Sequence, residues 1–463
     1  MSTVIVWFRR DLRLADNPAL VAACENHHRL LPLYIDDPEG EGPGTGGLAS
    51  RWWLHHALED LRERLREQGS DLELFRGASR TVLERVVAAT QADACYWNRV
   101  YEPAMTARDR DIKAALRNWG LETRSFKAGL LCEPWAIHTG KGQPFRVFTP
   151  YWKQFLKIGL GDAPLPAPRS IPPLPDAIPD ALGLETLRLL PDIRWDGGLH
   201  EAWAPTQAGG QERLGRFCET GLEGYAETRN SLSRDGVSRL SPYLHFGQLS
   251  PRQCMAAAAT VEGVDGPWIR QLAWREFACH VLYHYPHTVD RPMDPRFERF
   301  PWAETNPEVL ARWQQGRTGI PLVDAGMREL WATGWMHNRA RMIVASFLTK
   351  HLLIHWREGA VWFMDTLVDA DLANNTLGWQ WTAGSGADAT PYFRVFNPAL
   401  QGEKFDPEGA YVRRWVPELA DTPIRWIHKP WEAPSPPSGY LAPVVTLQVG
   451  RARALEAFSK IKA

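Results

Sequence analysis

Along the first 130 or so residues, short apolar runs alternate with longer stretches in which apolar positions recur at helical spacing. Runs at 4–8 (VIVWF), 30–35, 72–75 and 94–97, and the more polar segment 122–126, read as strands. NPALVAACEN, after the first run, reads as a helix. From Ser50 the segment SRWWLHHALEDLRERLREQG keeps an amphipathic pattern until Gly69, a residue suited to a helix end, and a Gly-rich loop at 39–47 precedes it. Strands alternating with helices of this length predict a doubly wound parallel sheet, an α/β domain over 1–130.

The pattern then changes. Eight prolines lie between Gly159 and Trp195. Proline removes backbone donors and fixes φ, so this is read as a surface connector within a linker at 131–205. From about residue 206 the patterns are helical with few strand signals, predicting an all-α domain over 206–432 and a short tail at 433–463. No internal repeat is evident.

A chain of 463 residues accommodates two or three such domains. The unusual feature of its composition is 22 tryptophans. A formal net charge of -1 excludes a globally basic nucleic-acid binder, so any DNA-facing surface must be a local patch. The stretch 335–357 is a candidate: it holds Arg339, Arg341, Lys350 and Arg357 and no acidic residue. Six scattered cysteines without a CxxC pair, and no signal peptide, predict reduced thiols in a cytoplasmic protein. No apolar run approaches a membrane span. His280, His284 and His287, and the pair His351 and His355, lack the carboxylate of an HExxH motif; they are read as packing residues, and no metal is expected.

Candidate chemistry concentrates in the second half. In 331–398, tryptophan, asparagine, arginine and paired aspartates crowd together, flat surfaces beside fixed charges that suit a large planar ligand. If the run from Trp331 is one helix, Trp331, Trp335, Asn338 and Met342 share a face with Arg341 at its edge. Tyr225, Arg229 and DGVSRLSPYLHFGQLS offer small hydroxyls and backbone amides near a helix start, a candidate phosphate cradle. On RQLAWREFACHVLYHYP, Gln271, Trp274, Arg275 and Ala278 line one side. In DADLANN, Asp369 and Asp371 could bond ribose hydroxyls or hold Arg341.

Taken in order, WFRRDLRLADNPAL, SRLSPYL, WREF, GWMHNRARM, DADLANN and GWQW followed by PYFRVFNP resemble the photolyase/cryptochrome family. Within it they are most similar to class I cyclobutane pyrimidine dimer (CPD) DNA photolyases, and nearly the whole chain is covered. The resemblance implies FAD held by Tyr225, Val237, Ser238, Arg239, Leu240, Ser241, Arg275, Asn338, Arg341, Asp369, Ala370, Asp371 and Asn375. It implies an electron relay from Trp379 nearest the flavin through Trp356 to Trp302. Trp274 and Trp381 match the aromatic walls around a flipped dimer, with Gln271, Arg275, Ala278, Asn338, Met342 and Arg394 as further parts of that pocket. Arg229, Arg339 and Gln401 match DNA-facing positions. The implied activity is that of a light-driven lyase: an electron passes from reduced FAD into the dimer and the cyclobutane ring opens. UV-damaged DNA is the partner, and a monomer without metal or membrane is expected.

Several positions depart from the family pattern. Gln271 stands where CPD photolyases usually place a glutamate, and it can donate to a carbonyl but cannot supply a proton. That glutamine is familiar from (6-4) photolyases and animal cryptochromes. Against it, Asn338 and Met342 stand where (6-4) photolyases carry histidines. Val237 replaces the usual threonine ahead of the SRLS motif. Asn375 is a neutral amide at the position facing flavin N5, where plant cryptochromes carry aspartate. Ala104 and Met105 replace the Asn-Glu pair that binds folate in many bacterial members. The antenna site is therefore left open: folate bound differently, a deazaflavin, another flavin or an empty site. CPD repair is the expected function; a cryptochrome-like photoreceptor without repair activity is the alternative, and (6-4) repair the third reading.

Overall fold

The computed structural model describes residues 2–42, 46–159, 161–389 and 393–462. Parts of the Gly-rich stretch at 39–47 and of the PYFRVFNP motif lie outside the described residues. The chain divides into two units, Met1–Glu223 with Ser238–His284, and Gly224–Val237 with Tyr285–Ala463.

In the first unit, β1 (Thr3–Phe8), β2 (Arg29–Asp36), β3 (Glu73–Arg76), β4 (Ala94–Asn98) and β5 (Glu122–Phe126) form one sheet in the order β3-β2-β1-β4-β5. Every pairing is parallel. All six residues of β1 are buried, because a central strand covered on both faces needs apolar side chains at both parities. Trp7 lies opposite Leu33 on one side and Trp97 on the other, and these join Phe75, Leu83, Val86, Ile112 and Leu116 in a single core. The helix Leu48–Glu67 starts two residues before the expected Ser50. It ends where Gly69 takes φ 76°, with the Ser70 amide returning to the Leu65 carbonyl. The strand order reverses between β1 and β4, the place where doubly wound sheets leave a crevice at the strand carboxyl ends. Arg9 there donates to Asp109 at 2.9 Å and to the Asn98 carbonyl, and Arg10 pairs with Glu102. Met105, in the helix Pro103–Asn118, is buried.

Farther along the same unit, Phe148–Ile158 is a helix burying Phe148, Tyr151, Trp152 and Phe155. It packs against the helix Ile269–His284. The Glu262 carboxylate caps that second helix, accepting from the Ile269 amide at 2.8 Å and the Trp268 amide at 3.1 Å.

The second unit is helical among its described residues, around a core that includes Trp313, Leu330, Met336, Ile343, Trp356, Phe363 and Trp379. Residues 331–342 do not form one helix, contrary to the expectation. The helix Pro321–Thr333 stops at Gly334, whose left-handed φ of 65° suits a residue without a side chain. A new helix, Asn338–Ser346, begins after His337, whose Nδ1 accepts from the Arg339 amide. Trp331 is therefore 62% exposed, stacked on Trp362, and shares no face with Asn338 and Met342.

The basic stretch 335–357 is also not a continuous surface patch. The π-helical segment Phe347–His351 turns Lys350 inward. Its ammonium donates to the Ala383 carbonyl at 2.5 Å and sits 3.2 Å from the Phe393 ring centroid. Burial pushes its pKa well below the usual lysine value. All six cysteines are free thiols. No helix among the described residues is long and apolar enough to cross a membrane.

Candidate functional site

In the first unit the helix Ile269–His284 presents Gln271, Trp274 and Arg275 half-buried, with Ala278 buried beneath them. One face of the Trp274 indole is covered by Phe148, stacked at 3.8 Å and 9°. Gln271 turns its amide nitrogen back to the Pro267 carbonyl at 3.0 Å. Arg275 donates to the Gly129 carbonyl at 2.8 Å and lies 3.8 Å from the Glu276 carboxylate. Glu276 is fully buried and accepts from the amides of Leu131 and Cys132. Desolvation still outweighs those bonds and raises its pKa to about 7.

Ser238, Arg239, Leu240 and Ser241 run into the five-residue helix Ser241–His245. Ser238 accepts from the Trp268 indole at 3.2 Å, and Arg239 adopts a left-handed φ of 51°. Val237, half-buried, closes the segment of the second unit that begins at Gly224.

In the second unit Arg341 donates from Nη2 to both Asp369 oxygens, at 2.9 and 3.1 Å, and from Nε to the Met336 carbonyl. Ala370 is buried next to this pair. Asp371 caps the helix Leu372–Ala383, accepting from the Asn374 amide. Asn375 donates its amide nitrogen to the Ala360 carbonyl at 2.9 Å. On the same helix Trp379 is buried against Phe363 and Trp313, at 5.0 and 6.2 Å. Trp381, two residues on, lines a cleft with Lys350, Thr382, Arg394 and Phe396. Trp356 is buried in the same core as Trp379, and half-buried Trp302 packs at its edge. His355 bridges that pair, its ring 5.0 Å from Trp302 and 5.5 Å from Trp356.

Asn338 meets Met342 one turn on, Nδ2 to Sδ 3.8 Å. Arg339 donates to Asn230 at 2.6 Å and lies over the Phe405 ring. Burial and then the charges of Arg229 and Arg394 depress its pKa, so three guanidinium groups crowd together here. Arg229 also lies 5.7 Å from the ring of buried Tyr225. Gln401 lies on the helix Pro398–Phe405, one turn before Phe405.

Sequence reasoning missed four participants: Phe148, Asn230, Lys350 as a buried group, and Glu276. Only Phe148 left a signal, since 148, 151, 152 and 155 are aromatic at helical spacing within the expected linker.

Residues 4–170 match the DNA photolyase family model, and residues 268–460 match the model for the FAD binding domain of DNA photolyase. The chain is 43% identical to a deoxyribodipyrimidine photo-lyase of Agrobacterium fabrum, covering 99% of this chain and 98% of that protein. It is 39% identical to cryptochrome-2 of Arabidopsis thaliana, over 99% of this chain and 79% of the relative. The crystal structure of a bacterial class III photolyase from Agrobacterium tumefaciens matches with a TM-score of 0.94 and 42% identity, covering 100% and 98% of the two chains. These relatives leave the choice between class I and class III undecided. With a family model matched towards each end and relatives of this identity along its full length, the chain belongs to the photolyase/cryptochrome family.

Proposed function

We propose that the protein repairs cyclobutane pyrimidine dimers in DNA under blue light, with FAD as its cofactor. The observation that carries this reading is the helix Leu372–Ala383, which sends Trp379 into the buried tryptophan core and Trp381 into the cleft beside Arg394. A relay and a substrate wall need to face apart, and positions two residues apart on a helix do so. FAD, when bound and reduced, supplies the electron that light drives into the dimer.

The side chains fit such a group. Asp369 and the Met336 carbonyl hold Arg341 while its Nη1 has no partner among the described residues, so a fixed positive charge and a donor remain to offset an electron-rich ring. Anchoring Asn375 through its nitrogen leaves its oxygen as a neutral acceptor that cannot act as an acid. Ser238, Arg239, Leu240, Ser241 and Arg275 in the first unit, and Tyr225, Val237, Asn338, Ala370 and Asp371 in the second, are the further assigned contacts. Trp379, Trp356 and Trp302 would refill the cofactor with electrons from the surface.

A thymine dimer is neutral and apolar and stacks poorly in the duplex, which lowers the cost of flipping it out. Trp274 and Trp381 offer it flat faces. Gln271 and Ala278 in the first unit, and Met342 and Arg394 in the second, are assigned to dimer recognition by the family resemblance, and Arg229, Arg339 and Gln401 to the DNA backbone. Asn338 and Met342 offer no imidazole acid, which disfavours (6-4) chemistry.

The likeness to a plant cryptochrome favours one second reading, a photoreceptor that binds FAD and repairs nothing. Reduced protein is mixed with oligonucleotides carrying either a single CPD or a (6-4) product, under blue light and in the dark. Light-dependent loss of the CPD alone is expected. Loss of the (6-4) product would overturn the substrate assignment. No repair of either, with photoreducible FAD bound, would favour the photoreceptor.

A further inference from the structure

The helix Leu48–Glu67 carries two adjacent histidines, each with one buried ring nitrogen that has no hydrogen-bond partner among the described residues. His55 is 4% exposed and, among the described residues, its Nδ1 and the Nε2 of neighbouring His56 are buried without a hydrogen-bond partner. Orphaned buried polar atoms cost about 1–3 kcal/mol each and are rare without a ligand or water to satisfy them. Glu59, one turn on, brings a carboxylate oxygen to 3.6 Å from His56 Nδ1. Ligand atoms of His55, His56 and Glu59 all lie within 4.8 Å of one another.

The surroundings suit a cation. The negative charges of Glu185 and Glu59 act on His55. The ring of His200, on the short helix Gly197–Ala202, lies 5.3 Å from that of His56, with its Nε2 held 3.0 Å from Asp196. A carboxylate holding one ring nitrogen of a ligating histidine is a common outer support of metal sites.

We propose that His55, His56 and Glu59 bind one divalent transition metal ion of the zinc type, with water or His200 completing its coordination. Two imidazoles and a carboxylate select zinc or nickel over magnesium, which prefers oxygen donors. Glu185 and His200 belong to the connector, so a metal here would clip that segment onto the helix Leu48–Glu67 of the same unit. Such a site is independent of the flavin and repair assignments.

The test uses full-length, FAD-containing protein dialysed against chelator, then titrated calorimetrically with zinc, nickel and magnesium chlorides. One equivalent of zinc and of nickel should bind, magnesium should not, and zinc should raise the melting temperature. His56→Ala and Glu59→Gln should each weaken zinc binding at least about tenfold, the loss that removing an outer support alone can cause. Glu59 is largely exposed, so Glu59→Gln keeps the fold and the test informative even if His56→Ala does not fold. Absence of a saturable one-equivalent site would overturn the proposal, as would zinc affinity unchanged in Glu59→Gln.

Discussion

Gly359 lies directly against the indole of Trp379: a Cβ there would sit 2.5 Å from both Cζ2 and Cζ3 of the ring and closer still to Cη2. Gly359 is inside the helix Trp356–Thr366, where alanine would normally gain about 1 kcal/mol of helix propensity. The ring is 2% exposed and wedged against Phe363 and Trp313, so it cannot step aside freely. Overpacking costs about 1–3 kcal/mol and should win. Gly359→Ala is expected to lower the melting temperature and to slow light-driven reduction of bound FAD, while chemically reduced enzyme keeps its repair rate. Normal photoreduction in this variant would argue against Trp379 as the relay's inner member.

The Arg341–Asp369 pair has an asymmetry that a substitution series can read. The Asp369 side chain is 3% exposed and Arg341 is 23% exposed. Removing the cation strands a buried carboxylate, which costs up to about 3–5 kcal/mol, less here because the arginine is partly solvated. Arg341→Met should therefore destabilise more than Arg341→Lys, which keeps the charge but loses the planar group that bonds Asp369 through Nη2 and the Met336 carbonyl through Nε together. Urea unfolding of both variants, with flavin absorbance recording cofactor retention, checks the order.

Glu276 makes stability depend on pH in an unusual direction for a carboxylate. Its folded pKa, raised to about 7 by burial, lies above the ordinary glutamate value of 4.5. Between those values the folded state holds a proton that the unfolded chain has released, so stability falls as pH rises. The contribution is complete below about pH 4.5 and lost as pH passes through about 7, with a slope of at most about 1.4 kcal/mol per pH unit. Glu276→Gln mimics the protonated form. The wild-type urea midpoint should drop more steeply between pH 5 and pH 8 than that of the variant; parallel profiles would refute the assignment.

The sheet was legible because apolar strands in a parallel sheet are not confused with exposed turns; the four apolar runs became strands, and so did the more polar ETRSF at the sheet edge. The break at Gly334 was not read, although glycine followed by a capping His337 gives a local physical reason for it. Composition misled at Lys350: a basic run looks like a surface, but the π-helical turn at Phe347–His351 shifts its facing, and no 3.6-residue pattern encodes that shift. The aromatic stack on Trp274 was hidden for a different reason. Phe148 lies 126 residues away in sequence, and no local period links the two.

Phe148 covers one face of Trp274, and offset-stacked pairs are worth about 0.5–1.5 kcal/mol beyond the area they bury. Phe148→Leu keeps most of the buried volume and removes the stack. Affinity for CPD-containing DNA should fall roughly two- to tenfold, which corresponds to that energy, while FAD stays bound. Trp274→Ala should abolish discrimination between damaged and undamaged duplex. Equal discrimination in Trp274→Ala and wild type would remove this face from the substrate pocket.

Arg229 and Arg394 both press their positive charge on Arg339, and burial adds to the cost there. Such repulsion is tolerable where a polyanion offsets it. Arg339 is committed to the Phe405 ring and Asn230, so its removal would also disturb packing. Arg229 is the cleaner probe. In Arg229→Ala, stability without DNA should stay within about 0.5 kcal/mol of wild type or rise slightly as repulsion is relieved. DNA affinity should fall alike for damaged and undamaged sequences, and the slope of log affinity against log salt should flatten by about one. Binding isotherms across a salt series, paired with thermal melts of the free protein, separate the two effects. A loss of affinity confined to damaged DNA would place Arg229 in the dimer pocket instead of on the backbone.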